Sequence, residues 1–274
     1  MNRWQQANIT FPDWDRAELT ALARIVPLLT AAEADGQISA WFFIRKHPVW
    51  RVRYCPAVPT YRIQASIGRR FDHLVASGHI AGWTSSVYEP EVHAFGGTEA
   101  MEAAHRFFHR DSEGSVAYLA MEHGAGHNHR RELSLLLCTL MMRAAHQDWY
   151  EQGDIWARVA SHREQPAHTA PDDRAGKLTV AVRRMLSVNA ENQFGLDTPL
   201  APFSGWAGAY RAAGRELADL NASGRLHRGL RDVLAHHVIF AWNRLGLPST
   251  TQAVLATPAK TAVFGRDPAQ AKAG

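Results

Sequence analysis

The sequence predicts an α+β fold in which helices pack against a small, largely antiparallel sheet. Segments with strand-like alternation lie mostly in the first third of the chain, whereas segments with apolar residues at helical spacing fill the rest. Strands that come early and helices that follow are typical of the α+β class. The 274 residues, of which 46% are hydrophobic, are enough to bury a substantial core.

The first third is predicted to hold three strands and two helices. The segment Phe11–Pro12–Asp13 supplies a turn and a cap before the first helix, and aromatic and β-branched residues mark the strand that follows it. The predicted elements are a helix over residues 13–29, strands over 38–44 and 50–54, a short helix over 66–77 and a strand over 79–87.

The predicted strand over residues 50–54 has two different faces. Trp50, Val52 and Tyr54 point to one side, and Arg51 and Arg53 point to the other. If the apolar side faces the core, both guanidinium groups point to solvent or into a cleft.

The remaining two thirds are predicted to be mainly helical. Thr98 caps a helix that ends near Phe108, and Asp111–Ser112 is expected to cap the next segment. Further helices are predicted over residues 131–150, 173–188, 206–220 and 229–247, with a polar loop or hinge over 160–175. Residues 257–274 are rich in Ala, Lys and Pro. We therefore predict one α+β domain over residues 1–262 and a disordered tail over 263–274.

Composition excludes several classes of protein. The two cysteines, Cys55 and Cys138, lie far apart and cannot build a disulfide framework or a structural zinc site. No signal peptide is recognisable, and no apolar run approaches the roughly 20 residues of a membrane span, so a cytoplasmic location without a membrane partner is expected. The net charge is only +4 and the basic residues are scattered, which argues against nucleic-acid binding.

No metal or cofactor is expected from the motifs. His105 and His109 are four residues apart, a spacing that suits metal ligands on a helix, but the adjacent Phe107 and Phe108 indicate a packed helix. The sequence also lacks a phosphate-binding loop, a nucleophile elbow and a dinucleotide fingerprint.

The segment Trp41–Tyr54, WFFIRKHPVWRVRY, carries the most information about function. Two arginines two residues apart on a strand can converge on one anionic group, because each offers a planar fork of donors. A strand with a solvated basic face is the alternative interpretation, and the segment alone leaves both open.

This segment resembles the signature of the glutamate-elimination domain of lantibiotic dehydratases and of its free-standing thiopeptide-type relatives. Three further segments agree in order: Phe11–Glu18 (FPDWDRAE), Val87–Gly97 (VYEPEVHAFGG) and His236–Gly246 (HHVIFAWNRLG). The resemblance covers most of the chain. It implies an α+β fold and, as partner, a ribosomally made precursor peptide of leader and modified core, held as an extended chain.

Two chemistries are known in this family. Elimination enzymes remove glutamate from glutamylated Ser or Thr, whereas pyridine synthases join two dehydroalanines by a formal [4+2] aza-cycloaddition with loss of water and the leader peptide. The elimination pattern includes an arginine just before the Phe-Gly-Gly and a histidine four residues before Asn243. Here those positions hold Ala94 and Ile239. Pyridine synthase is therefore the preferred prediction. Elimination, with His236 or His237 as substitute, and an inactive leader-binding module remain alternatives.

The predicted site follows from the resemblance and from the chemistry that the reaction needs. Aza-cycloaddition requires proton transfers at an amide, for which a phenol, a carboxylate and an imidazole are suited. We predict Tyr88, Glu91 and His236 as catalytic residues. The predicted substrate-binding residues are Arg51, Arg53, Trp50, Phe95 and Trp242, and the Gly-Gly after Phe95 is expected to let backbone approach the substrate.

Overall fold

The protein has the predicted α+β fold. A computed structural model describes residues 4–58, 61–125, 128–163 and 172–265. Its strands form one antiparallel four-stranded sheet in the order β2-β3-β1-β4. The strands are β1 (Gln5–Thr10), β2 (Ile38–Lys46), β3 (Val49–Pro56) and β4 (Gly82–Ser86).

Helices make up most of the described chain. In the first part, α1 (Ala17–Thr20) and α2 (Val26–Ala34) are joined through a π-helical turn, Ala21–Ile25, into one continuous helical segment. Two short 3₁₀ turns, Glu191–Phe194 and Ala201–Phe203, precede α8. The α-helices are α1 (Ala17–Thr20), α2 (Val26–Ala34), α3 (Tyr61–Ala76), α4 (Thr98–Ala125), α5 (Arg130–Ala144), α6 (Trp149–Ser161), α7 (Asp172–Ser187), α8 (Ser204–Ala222), α9 (Leu230–Leu245) and α10 (Ser249–Phe264).

The chain divides into two compact units. The first comprises Met1–Pro90 and Phe108–Gly126, and the second comprises Glu91–Phe107 and His127–Gly274. Helix α4 contributes its first turns to the second unit and the remainder to the first. The expectation that residues 1–262 behave as one domain stays a prediction, and residues 266–274 of the expected tail lie outside the described ranges.

One face of the sheet holds the core of the first unit. The alternation predicted for residues 50–54 is confirmed, because Trp50, Val52 and Tyr54 are all buried in this core. They pack with residues of the first helical segment and of α3, such as Leu29 and Phe71. The opposite face of β3 consequently carries Arg51 and Arg53.

Strand β1 was not predicted, although it lies between β3 and β4 in the sheet. Its sequence, QQANIT, has only two apolar residues among four polar ones, so the period-2 signal is weak. Ala7 and Ile9 enter the core, whereas Gln6 and Asn8 occupy the other face. Gln6 and Asn8, which weaken this signal, lie on the face that also carries Arg51 and Arg53.

Helix α4 is one helix of 28 residues and not the two predicted segments. Asp111 and Ser112 are fully buried in its middle and do not cap a new helix. Ser112 faces the outer edge of β2, where its hydroxyl accepts a hydrogen bond from the Phe43 amide (3.4 Å). A sheet edge covered in this way does not present open backbone groups.

The second unit is built from helices. The helix predicted over residues 131–150 is divided, because Asp148 caps α6 in a capping box with Glu151 after a turn through His146 at φ 58°. Trp156 of α6 and Trp242 of α9 stack at 5.8 Å in its interior. Helix α10 was not predicted, since its Ala- and Thr-rich sequence contains Pro258. In the described ranges, no helix combines the length and the apolar character that crossing a membrane requires.

Candidate functional site

Polar side chains gather on the sheet face opposite the core of the first unit. Strand pairing places Gln6 opposite Arg53 and also opposite Ser86, and places Asn8 opposite Arg51. Directly paired residues of antiparallel strands share a face. We call this set, Gln6, Asn8, Arg51, Arg53 and Ser86, the arginine face.

Arg53 is the most enclosed member of the arginine face, with 7% of its surface exposed. Its Nε donates a hydrogen bond to Gln6 Oε1 at 2.7 Å. The guanidinium carbon lies 4.5 Å from the ring centre of Tyr88 and 5.3 Å from that of Phe42, which are cation–π distances. These contacts fix the guanidinium in place and bring two predicted site residues, Arg53 and Tyr88, together.

A chain of neutral hydrogen bonds continues from Arg53 across the sheet. The Gln6 amide nitrogen donates to Ser86 Oγ at 2.8 Å and to Asn8 Oδ1 at 3.1 Å, and the Asn8 amide donates to Ser86 Oγ at 3.2 Å. The arginine face contains amides and a hydroxyl but no carboxylate. Its positive charge is therefore not neutralised from within the set, which suits binding of a carbonyl oxygen or an anion.

Arg51 differs from its neighbour on the same face. It is half-buried, and among the described residues it has no hydrogen-bond or ion-pair partner. Its five donor N–H groups are thus open to a ligand. Both guanidinium groups are predicted to point to solvent or into a cleft. Arg53 does not reach solvent, because aromatic rings cover its guanidinium and only 7% of its surface is exposed, whereas Arg51 is half-buried.

In the second unit, the loop around Phe95 packs on the segment that precedes α9. Gly96 has φ 90°, and a Cβ there would lie 2.6 Å from Leu226 Cδ1. The Gly96 carbonyl accepts a hydrogen bond from the His227 amide at 2.8 Å. Leu226 and His227 thus fill the space that a side chain at these glycines would need, and the expected close approach of substrate to the Gly-Gly backbone stays a prediction.

An arginine reaches the same loop from elsewhere in the sequence. Arg228 donates from Nη1 to the carbonyl oxygen of Ala94 at 3.1 Å. Ala94 stands where the elimination pattern has its arginine. The structure therefore supplies a guanidinium beside this position, although sequence analysis found none near it.

Helix α9 presents two histidines with different surroundings. His236 is half-buried and contacts Phe95 and His162, at ring-centre distances of 6.0 and 5.5 Å. Burial lowers the pKa of His236, the charges of Arg228 and His162 act in the same direction, and Asp232 opposes them. A neutral imidazole at neutral pH can accept a proton.

His237 is fully enclosed between Phe95 and Phe107. Burial lowers its pKa to about 3, and the charge of Arg244 adds to the effect. It is therefore uncharged throughout the ordinary pH range and belongs to the core.

Acidic and basic side chains around the start of α9 form an ion-pair network. Asp154 of α6 lies 3.1 Å from both Arg158 and Arg231, and Arg158 also binds Asp232. Arg228 Nε lies 3.9 Å from Asp232 Oδ2. Because Asp232 is one helical turn before His236, the network holds the end of the helix that presents this imidazole.

Several predicted site residues lie in positions that do not suit the predicted role. Trp50 is 2% exposed and stacks on Phe43, while Phe95 and Trp242 are fully buried. These three are corrected from substrate contacts to core residues, because their rings are covered by protein. Glu91 is exposed, and Tyr88 is buried beside Arg53.

Sequence analysis missed Gln6, Asn8, Ser86 and Arg228. The first two alternate with Ala7 and Ile9, so their spacing could have indicated the strand. Nothing in the sequence pairs Arg228 with Ala94, which is 134 positions away. For a metal ion, one group of described residues has converging donor atoms, namely Glu33, His109 and Glu113.

Comparison with known proteins identifies relatives of the whole chain. The family described as lantibiotic biosynthesis dehydratase, C-terminal, matches residues 4–263. No protein with a curated description matches the chain.

Three solved structures share the fold. The tRNA-dependent lantibiotic dehydratase MibB from Microbispora sp. 107891 superposes with a TM-score of 0.67 at 19% identity over 96% of this chain, which spans only 28% of MibB. TsrL superposes with a TM-score of 0.64 at 17% identity, covering 97% of both chains. TbtD, a pyridine synthase from thiomuracin biosynthesis, superposes with a TM-score of 0.61 at 14% identity, covering 96% of this chain and 98% of its own.

Proposed function

Because the chain belongs to the family of lantibiotic biosynthesis dehydratase C-terminal domains, we propose that it is a thiopeptide pyridine synthase acting on a ribosomally made precursor peptide. The substrate carries two dehydroalanines. The likeness to TbtD, a pyridine synthase whose length the chain covers almost completely, supports the proposal.

The proposed reaction needs proton transfers and no redox change. The amide before one dehydroalanine takes its imidic form and so provides a 2-azadiene. This diene adds to the alkene of the other dehydroalanine and forms two C–C bonds, one from the former amide carbon and one from the methylene carbon of the diene. The hydroxyl on the former amide carbon leaves with a proton as water. The leader leaves as its amide when the C–N bond to the ring breaks, and the ring becomes aromatic.

The observation that carries the proposal is the stacking of Arg53 on Tyr88 within a network of neutral groups. A cation close to a phenol strengthens the phenol as a hydrogen-bond donor. A donor of this kind can polarise the reacting amide carbonyl and return a proton to the departing hydroxyl. In this proposal Arg53 positions Tyr88 and does not itself bind substrate.

Arg51, Glu91 and His236 complete the proposed set of functional residues. The open guanidinium of Arg51 binds carbonyl oxygens of the extended peptide. The exposed Glu91 and the neutral imidazole of His236 are proposed as proton acceptors for amide tautomerisation and for loss of the leader.

Glutamate elimination is the second candidate, and one observation favours it. Arg228 places a guanidinium at Ala94, where elimination enzymes are expected to carry an arginine. Two facts weigh against it. Arg228 already faces Asp232, and the position expected to hold the proton-shuttling histidine is Ile239, a buried apolar residue.

Mass spectrometry of the protein with two peptides tests the proposal. One peptide carries its leader and two dehydroalanines, and the other carries a glutamylated Ser. We expect the first to yield a macrocycle and free leader amide without added cofactor, and the second to remain unchanged. Loss of glutamate without cyclisation establishes elimination instead, and binding of leader without turnover of either peptide establishes a binding module.

Tyr88→Phe is the sharpest variant for the proposed chemistry. The ring on which Arg53 stacks is kept, so folding should be preserved, while the phenolic proton is lost. We expect the rate of cyclisation to fall by about 10²–10⁴-fold, as for loss of a general acid, with leader affinity unchanged. Val87→Ala, at the exposed neighbouring residue, is the matched control. An unchanged rate in Tyr88→Phe removes this residue from the mechanism.

A further inference from the structure

Two acids and a histidine of the first unit direct donor atoms toward one point. Glu33 lies near the end of α2, while His109 and Glu113 lie one turn apart on α4. One donor atom from each residue lies within 4.8 Å of the other two. The three residues come from segments that are 76 positions apart, so their sequence spacing does not reveal them.

The distances between these atoms suit a small metal ion. His109 Nε2 lies 3.2 Å from Glu33 Oε1 and 3.8 Å from Glu113 Oε1. Ligands of a tetrahedral ion with bonds of about 2.0 Å are separated by roughly 3.3 Å. The first distance matches this value. The distance to Glu113 Oε1 is longer, and a rotation of this half-exposed side chain would bring the oxygen to the same separation.

The backbone of β2 orients the imidazole. His109 Nδ1 lies 3.0 Å from the carbonyl oxygen of Trp41 and 3.3 Å from its amide nitrogen. The shorter contact favours Nδ1–H donating to the carbonyl, which leaves a lone pair on Nε2 directed at the two carboxylates. A carbonyl that holds the remote nitrogen is the usual second partner of a metal-bound histidine.

The other oxygen of each carboxylate accepts a hydrogen bond. Glu33 Oε2 accepts a hydrogen bond from the indole nitrogen of Trp41 at 2.9 Å, and Glu113 Oε2 accepts one from Arg110 at 2.9 Å. One oxygen of each acid is thereby left for the common point. Three acceptors that converge repel one another unless a cation lies between them.

We propose that Glu33, His109 and Glu113 bind one divalent transition-metal ion of the Zn²⁺ type. One nitrogen and two oxygen ligands suit such an ion better than Mg²⁺ or Ca²⁺, which prefer oxygen alone. The two carboxylates balance its charge. The ion fastens α2 to α4 beside the edge strand β2, and the partial exposure of Glu33 and Glu113 leaves a position for water.

Titration of the metal-free protein with Zn²⁺ in a calorimeter at pH 7.5 tests the site. The chelator-treated full chain should bind one equivalent, and its Tm should rise by about 5 °C at a hundredfold excess over Kd. Glu113→Gln keeps the shape of a partly exposed side chain, so it should fold and weaken binding at least about tenfold. His109→Ala should abolish binding. Glu102→Gln, an exposed acid of the same helix, is the control and should bind normally.

A second measurement separates the metal from its alternative, a protonated imidazole that bridges the two acids. Nitrogen NMR of His109 should show Nε2 without a proton once Zn²⁺ is added. Absence of stoichiometric binding, equal affinity of wild type and Glu113→Gln, or an Nε2 that stays protonated with Zn²⁺ present would each overturn the proposal.

Discussion

Arg51 and Arg53 show how far two residues of the same type can differ on one strand face. Arg53 is enclosed by Phe42, Tyr88 and Gln6, whereas Arg51 has no partner among the described residues. The first stabilises the local structure and, in the proposed mechanism, positions the Tyr88 phenol. The second is open to a ligand.

Alanine variants should separate these two roles. Arg51→Ala should leave Tm nearly unchanged, because surface changes of this kind cost about 0.5 kcal/mol or less. It should raise the apparent substrate constant or lower the rate by about one to two decades, the value of a charge-assisted hydrogen bond. Arg53→Ala should lower stability by about 1–3 kcal/mol, because it leaves the buried Gln6 oxygen unpaired.

Measurements of Tm and turnover for Arg51→Ala, Arg53→Ala and Arg53→Lys test whether the two arginines have these separate roles. Lysine restores the charge but not the planar fork, so it should recover only part of the loss. A normal rate in Arg51→Ala contradicts its assignment to substrate binding.

At the scale of elements, α9 carries two histidines with different surroundings in the second unit. Its residues include the half-buried His236 and the enclosed His237 one position later. Ordinary helix geometry points adjacent residues in directions about 100° apart, so one imidazole meets the Phe95 loop while the other fills the interior.

His237 should make stability depend on pH. Its pKa is about 3 in the folded protein and about 6.5 when unfolded. Between these two pKa values the unfolded state binds more protons than the folded state. The stability that depends on a neutral His237 is therefore fully present above about pH 6.5 and is lost as the pH drops. The expected slope approaches 1.4 kcal/mol per pH unit. Thermal unfolding at pH 7.5 and 5.0 tests this. Between these pH values the Tm of His237→Leu should fall by less than that of wild type, whereas the Tm of the exposed-site control His93→Gln should fall as that of wild type does.

The contact between α5 and α8 offers a test of helix packing. A Cβ at Gly214 would lie 2.2 Å from the carbonyl oxygen of Met141. Gly214→Ala must therefore push the helices apart, at a cost of about 1–3 kcal/mol. Gly208→Ala, on the same helix, meets only a flexible arginine end at 3.9 Å, so it should be neutral or gain up to about 1 kcal/mol from helix propensity. Denaturant unfolding of both variants measures the difference, and equal stabilities would show that the helices do not approach this closely.

At the scale of the whole molecule, a chelator should affect the proposed reaction and the proposed metal site differently. The cycloaddition uses placement and proton transfer, so EDTA treatment should leave turnover of the bis-dehydroalanine peptide unchanged. The same treatment should lower Tm, because the ion fastens α2 to α4. Loss of turnover in proportion to metal removal would instead assign the ion to the reaction.

The sequence by itself determined the fold class, the two arginines on one face of β3 and the family. These properties depend on alternation and on contiguous motifs, which a chain displays residue by residue. The sequence predicted less well those elements whose local pattern fits more than one kind of structure. The polar strand β1 escaped notice, and Asp111–Ser112 was assigned to a cap because those residue types usually start helices.

Only the tertiary structure decided which arginine is enclosed, which aromatic rings are core and which residues meet across long separations. Arg228 reaches Ala94 and Glu33 reaches His109 through folding of distant segments, and no spacing rule encodes such contacts. The tryptophans at 50 and 242 could equally have lined a groove or filled a core. Burial depends on what packs against a side chain from the rest of the fold, and that is a property of the packed chain and not of the residue.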